Sequence, residues 1–336
     1  MKAYLIRRIL LMVPTLVGIS LVCFTLIQFV PGGPVEQVIS RMRQVGAEKG
    51  MSSKTISPQE IENIKAYFGF DQPAPVRYVK WVGNVVQGDF GKSYSYHEPV
   101  LDVILSKMPI SLCFGLTSFF LSYLICIPLG MAKAMKHNSI FDVFSSIAIF
   151  SGYVMPGYAL GIVLIIFLGG GSYLDLFPIS GVMSDDFESL TFGGKVLDVA
   201  HHMALPLFCY MIGEFAFLTM LMKNSLLDET GKDYMRTALV KGATFGQAVR
   251  RHALRNSLIP IATRASEIFT LMFVGSILIE RVFDIDGMGL LIWNSTVNRD
   301  YNVVLGIILL SSLMTLIGRL FADILYMVVD PRIRLQ

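Results

Sequence analysis

The chain has 336 residues, of which 54% are apolar and 16% charged, against about 25% charged in ordinary soluble domains. Uncharged stretches of about 20 residues recur, enough to cross about 30 Å of hydrocarbon, so a soluble domain is excluded and a multi-span helical membrane protein is implied. A net charge of +3 is too small and too segregated for a nucleic-acid binder, and Cys23, Cys113, Cys126 and Cys209 lie inside apolar segments without the paired spacing of disulfides or metal ligands.

In chain order, Lys2, Arg7 and Arg8 precede an uncharged run from Ile9 to Val30. The run is too long for a signal-peptide core and no small-x-small site follows, so it reads as span one. The prolines and glycines of PGGP (31–34) end it. Residues 35–107 are polar and nearly balanced in charge. Ser57, Pro58 and Glu60 form a helix-start signature followed by Ile61, Ile64 and Phe68 at helical spacing, with Gly69 as the stop. A second helix is predicted over Pro75–Gln87, with Val76, Val79, Val82 and Val86 on one face and Gly88 beyond its end. A small helical subdomain outside the membrane is expected. Two motifs here are decoys. VQGDFGKS (86–93) ends like a phosphate-binding loop but has Val86 where the first glycine belongs, and HEPVL (97–101) has Leu101 where a zinc protease needs its second histidine.

Span two is predicted over about 109–132 and is followed by a basic turn carrying Lys133, Lys136 and His137. Span three runs from about Asp142 to Leu168, and Pro156 within MPG should kink or break it. Broken helices at that depth are tolerated where they are buried or line a cavity, which makes Pro156 a candidate pathway residue, with packing accommodation as the other reading. Residues 169–202 are Gly-rich and acidic, and His201 with His202 reads as an interfacial cap, not a metal pair. Spans four, five and six are predicted at about 203–222, 259–279 and 303–329, with FDIDGMG (283–289) as an outer turn and DPRIRLQ as a basic tail. Lys and Arg fall at 2, 7, 8, 133, 136, through 223–255, and at 332 and 334, while 169–202 and 280–301 are acid-biased. That asymmetry predicts both termini in the cytoplasm.

The segment 223–260 carries seven Lys or Arg residues and three acidic ones. Asp228–Lys241 is helix-compatible, Gly242 ends it, and Thr244 with Gln247 starts a second helix as a capping box. The expected result is a compact helical knob with a mixed basic and apolar surface, more than a headgroup-binding loop requires. Among charges inside spans, Arg264–Glu267 and Arg319–Asp323 have the spacing to pair on their own helix faces. Glu214, mid-span without such a partner, is expected to line the pathway or to bond to a neighbouring helix.

The knob resembles the cytoplasmic motif EAA-x3-G-x9-I-x-LP of binding-protein-dependent ABC importer permeases. With Gly242 as its glycine, Arg236, Thr237 and Ala238 take the EAA positions, and His252, Leu254 and Arg255 fall at I-x-LP; Ala238, Gly242 and Leu254 match the general form. RTALVKGA and RRHALRNSLIP are more similar to the variant of the peptide (dipeptide, oligopeptide, nickel) branch. YLIRRILLMVPTLVGIS with PGGP, GDFGKSYSYHEPV with MPISL, GSILIERVFDIDGMG, NRDY and DPRIR resemble that branch's B-type permease. GGGSYLDLFPISG and LTMLMKNSLLDE resemble the Yej type, whose systems take up oligopeptides and microcin C-like antibiotics.

The resemblance implies an all-α membrane protein with six transmembrane helices, a type I ABC importer permease with cytoplasmic termini, in a bacterial inner membrane. It would comprise a first span (1–34), a periplasmic helical subdomain (35–107) and a five-helix core (108–336) holding the coupling loop. It implies a second permease as heterodimer partner, two ATP-binding subunits or one fused double ATPase, a periplasmic peptide-binding protein and membrane lipids, with no nucleic acid. ATP and Mg would be bound by the partners, with no catalytic residue, metal or cofactor in this chain. The coupling residues would be Arg236, Thr237, Ala238, Gly242, Arg250, Arg251, His252, Leu254 and Arg255. The alternatives are a same-branch permease for dipeptides or nickel, and a proton-coupled secondary transporter, which would show inverted repeats. No Ser–His, paired-Asp or HExxH arrangement suits an intramembrane enzyme.

Overall fold

The structure is a computed structural model that describes residues 2–30, 33, 35–36, 39–40, 57–67, 71–171, 173–264 and 275–329. Among them the elements are helical: α1 (Lys2–Phe29), α2 (Pro58–Tyr67), α3 (Ala74–Val86), α4 (Val100–Met135), α5 (Ile140–Val154), α6 (Gly157–Leu168), α7 (Phe192–Thr230), α8 (Asp233–Val240), α9 (Phe245–Ala248), α10 (Leu254–Arg264), α11 (Ile277–Val282), α12 (Met288–Val297) and α13 (Tyr301–Val329). Four helices in these residues are long and apolar enough to cross a membrane, within 4–29, 100–135, 192–230 and 301–324. The α5–α6 pair adds a fifth span if taken as one. Of the predicted fifth span, residues 265–274 lie outside the described residues, as do Glu267, Phe68, Gly69 and the basic tail.

Span three breaks where Pro156 predicts. Its helix halves meet at 97°, with Met155 extended (φ −87°, ψ 122°) and Pro156 at φ −56° before α6. Proline removes a backbone donor, and the residue before it is steered out of the helical region. α4 and α7 overrun their predicted spans at both ends. α7 continues to Thr230 and stops at Gly231, because hydropathy marks where a helix leaves the membrane whereas capping marks where it ends.

The chain groups into two compact units. The first comprises Met1–Arg8, Met108–Leu290 and Met314–Gln336. Within it α4 and α7 pack closely: a Cβ on Gly130 would lie 2.6 Å from Met222 Cβ and 2.7 Å from the Thr219 carbonyl oxygen. The segment after residue 274 folds around buried Glu280. Its Oε1 accepts from Tyr210 Oη (3.0 Å), Ser111 Oγ (3.2 Å) and the Ser276 amide (3.2 Å), and its Oε2 from the Leu290 amide (2.8 Å). A turn is present within 283–289, where the sequence predicts an outer one, and leads into α12, a helix without a sequence-level forecast.

The second unit comprises Ile9–Lys107 and Leu291–Leu313. Both helices expected in 35–107 form. Ser57 and Glu60 exchange capping-box bonds at the start of α2 (Ser57 N to Glu60 Oε2, 2.8 Å; Glu60 N to Ser57 Oγ, 3.1 Å). α3 lies on α1, where Tyr78 meets Ser20 Oγ (2.9 Å), the Val17 carbonyl (3.2 Å) and the Phe24 ring (5.3 Å between centroids). The decoy GKS is a tight loop in which several backbone donors bond to the protein itself. Gly91 N donates to Asp89 Oδ1, Ser93 N to the Glu98 carbonyl, Ser95 N and Ser93 Oγ to Asp300, and Tyr96 N to Ser93 Oγ. A phosphate cradle needs those amides unspent.

Candidate functional site

The segment between α7 and residue 264 forms the expected helix–glycine turn–helix knob. α8 ends at Val240 with Lys241 as its C-cap, and Gly242 turns the chain at φ +91°, a conformation that costs any L-residue with a side chain. Thr244 then caps α9, with Gln247 N donating to Thr244 Oγ1 and Thr244 N to Gln247 Oε1. The second helix is not uniform. Residues Val249–Ala253 form a wider π turn, a feature frequent at functional sites. Val249 and Ala253 at its ends are buried, while Arg250, Arg251 and His252 between them face outward.

The knob is anchored, not pendant. Met235, Ala248, Val249 and Ala253 are fully buried with Met222 and Leu226 of α7, Ala134 of α4 and Ile261 of α10. Burying a Val or Met side chain contributes about 1.5–3 kcal/mol, which fixes the hairpin to the ends of three helices. A polar clamp adds to this. Glu229 accepts from Lys232 Nζ (2.6 Å), Tyr234 Oη and Asn256 Nδ2 (3.4 Å), tying α7, α8 and α10 together. Burial, with the Glu229 carboxylate beside it, raises the Tyr234 phenol above its usual pKa and keeps it a donor.

Of the nine motif residues, Arg236, Thr237, Gly242, Arg250, Arg251, His252 and Arg255 are exposed, and Ala238 and Leu254 are half-buried against the knob core. The surface is therefore basic, with an apolar element beside the turn: Val240 is 88% exposed, and Leu239 and Phe245 are exposed next to it. Sequence reasoning passed over Val240 and Glu229. Their signal was an apolar residue two before a turn glycine, and a carboxylate in an otherwise basic segment.

Among the charges inside spans, Glu214 makes the bond to a neighbouring helix that was one of its two expected readings, while Glu267 of the predicted Arg264–Glu267 pair lies outside the described residues. Glu214 Oε2 accepts from Arg264 Nη2 at 3.2 Å, joining α7 to α10, and the guanidinium lies 4.6 Å from the Phe217 ring centroid. Arg264 thus reaches across helices to the residue expected to lack a local partner, because Glu214 approaches from a facing helix at a separation that i,i+4 spacing does not register. The pair lines a small cavity of about 40 Å³ with Ser118, Ser122 and Tyr210. Asp323 likewise pairs with Arg8 (2.8 Å) and Tyr4 Oη (3.1 Å), not with Arg319, which is exposed. Pro156, the other pathway candidate, is exposed at the break of span three.

The basic turn also hides a cluster. Lys133 is fully buried, donating to Asp142 Oδ1 (3.0 Å), the Asp142 carbonyl (2.8 Å), Ser145 Oγ (2.7 Å) and Ser146 Oγ (2.8 Å). Lys223 binds both oxygens of the same carboxylate (2.8 and 2.7 Å). This ties α4, α5 and α7 together.

Comparison with known proteins agrees with this architecture. Residues 126–335 match the family "Binding-protein-dependent transport system inner membrane component", and residues 1–115 match its N-terminal counterpart. The chain is 38% identical to the Agrobacterium fabrum peptidoglycan transport system permease protein YejB, covering 99% of this chain and 98% of that protein. It is 39% identical to the Escherichia coli O157:H7 inner membrane ABC transporter permease protein YejB and 34% identical to the Bacillus subtilis oligopeptide transport system permease protein AppB, each over 99% of both chains. The chain belongs to the family of binding-protein-dependent transport system inner membrane components and is a multi-pass membrane permease.

Proposed function

We propose that the chain is one membrane-spanning subunit of an ATP-driven importer of oligopeptides, and that the knob at 223–260 is its contact with the motor. The observation that carries the second half is the hairpin itself: a left-handed turn at Gly242, a capped helix, and an exposed surface that includes Arg236, Arg250, Arg251 and Arg255 as well as the apolar Val240 and Phe245. Solvated arginines steer a partner and set orientation; an exposed apolar tip supplies the area that is desolvated on docking. The peptide half is supported by the relatives, which are named as oligopeptide and peptidoglycan permeases. Uptake of microcin C-like peptides is the narrower form of this reading.

The assembly would contain a second permease, two ATP-binding subunits or one fused double ATPase, and an extracytoplasmic peptide-binding protein, with six spans and both termini in the cytoplasm. ATP and Mg would be held by the motor. Coupling requires the motor to bind one permease state better than the other. An anchored knob suits that role, since force on α8 passes to α4, α7 and α10 through the packed cluster of Met222, Leu226 and Val249. Glu214 with Arg264, and the break at Pro156, would face the translocation path.

Val240→Glu tests the docking surface. The residue is exposed, so insertion and yield should be unchanged, while co-purification of ATP-binding subunits should fall about tenfold or more. Undiminished co-purification with full transport would remove the knob from the motor interface.

A further inference from the structure

We propose that a cavity in the second unit, outside the knob and the Glu214 pair, is a receiving subsite for short free-ended peptides. The proposal rests on the importer reading above. The cavity, of about 440 Å³, is walled by the last turns of α1, by α3, by the 89–94 loop and by the start of α13. That volume lies within the range of small-ligand sites, and a two- or three-residue peptide, about 7–11 Å when extended, is of matching size.

Its chemistry selects a zwitterion. The lining carries both signs of charge, Arg77 and Lys80 with Asp71 and Asp89, which suits a ligand bearing one charge of each sign, whereas a phosphate or nucleotide would meet two carboxylates. Arg77 is oriented by its bond to Gln28 Oε1 and lies 6.0 Å from the Phe24 ring centroid. Two lining groups carry buried polar atoms without a hydrogen-bond partner among the described residues, Trp81 Nε1 and Tyr301 Oη. An indole N–H can only donate and a phenol can do both, which are the functions that a peptide carbonyl and amide satisfy. Leaving such atoms unpaired is costly, and a ligand that pairs them recovers that cost on binding.

The site is also preformed. Asp300 accepts from Ser95 N (2.9 Å) and Ser93 Oγ, and Asn302 Nδ2 donates to the Lys92 carbonyl (2.8 Å). The loop bearing Asp89 is thereby fixed to the start of α13, next to Tyr301. Walls already ordered lose little entropy when a ligand enters.

The test uses the assembled transporter in phosphatidylcholine nanodiscs with a photoreactive tripeptide, Ala–photoleucine–Ala, and its N-acetylated, C-amidated form, with adducts mapped by mass spectrometry. The free-ended peptide should label residues 71–94 and 301–305 saturably, at least about tenfold more than the capped one. Tyr301→Phe should lower that labelling several-fold while leaving thermal stability unchanged or raised, because it deletes an unpaired buried hydroxyl; a purely structural role would leave labelling intact. Absence of adducts in those segments, equal labelling by the capped peptide, or displacement of the peptide by phosphatidylethanolamine alone would overturn the subsite. ATP-driven uptake of trialanine, assayed on the same assembly, separates the two readings: uptake without cavity adducts removes the subsite and leaves the importer standing, while adducts without uptake support the subsite and count against the importer.

Discussion

Lys133, Asp142 and Lys223 show what single residues contribute that charge counting hides. Positive-inside reasoning treats Lys133 as a solvated marker of the cytoplasmic side, yet it is fully buried with two lysines sharing one carboxylate. Removing the carboxylate would strand two ammonium groups, and breaking a buried pair in this way costs about 3 kcal/mol or more. Asp142→Asn should therefore lower the thermal midpoint of the detergent-purified chain, whereas the same change at exposed Asp185 should not. Glu214 is a second case. Glu214→Gln keeps the size and a hydrogen bond to Arg264 but removes the carboxylate charge from the lining of their small cavity, so transport in vesicles should drop with assembly retained. Full transport would assign the pair to helix packing alone. Neither partner was legible beforehand, since Asp142 reaches Lys223 and Glu214 reaches Arg264 across helices, at separations that no local spacing encodes.

At the scale of elements, the helix starts were the readable part. Ser57 with Glu60 and Thr244 with Gln247 are complete local signals, and both capping boxes form. The break at Pro156 was readable for the same reason, since proline acts on its own backbone. Helix lengths were not, as α7 shows by running past both ends of its apolar window. The π turn at Val249–Ala253 left no local trace because the burial of Val249 and Ala253 imposes it from outside the segment. Close helix packing makes one further demand. Gly130→Val would push a side chain into Met222 and the Thr219 backbone, and overpacking of that kind costs about 1–3 kcal/mol. The expected result is a reduced yield of folded protein with normal membrane targeting, read by detergent size-exclusion profile.

For the whole molecule, the testable quantity is sidedness. Ser257 lies within the knob segment but is buried, its hydroxyl donating to the Ala253 carbonyl (2.9 Å), so it is a poor reporter. Val240 and Tyr173 are 88% and 75% exposed. Cysteines there, in a chain whose own four cysteines are replaced, should label from opposite sides: Val240→Cys only after the cytoplasmic face is opened, Tyr173→Cys in intact cells. Labelling of Val240→Cys from outside would invert the proposed topology and end the motor-contact reading. The all-helical class and the four long apolar helices were legible in composition because lipid demands long apolar helices. The grouping into two units was not, because it depends on contacts between segments such as 89–99 and 300–302 that lie two hundred residues apart.

The apex at Gly242 has a consequence for anyone who would rebuild the knob. A Cβ added there meets nothing within 4 Å, yet the backbone sits at φ +91°. Bulk is irrelevant at that position and chirality decides: a D-amino acid would occupy it without strain, while its natural mirror image would have to unbend the hairpin first. Glycine is there as the one achiral member of the genetic alphabet, not as its smallest.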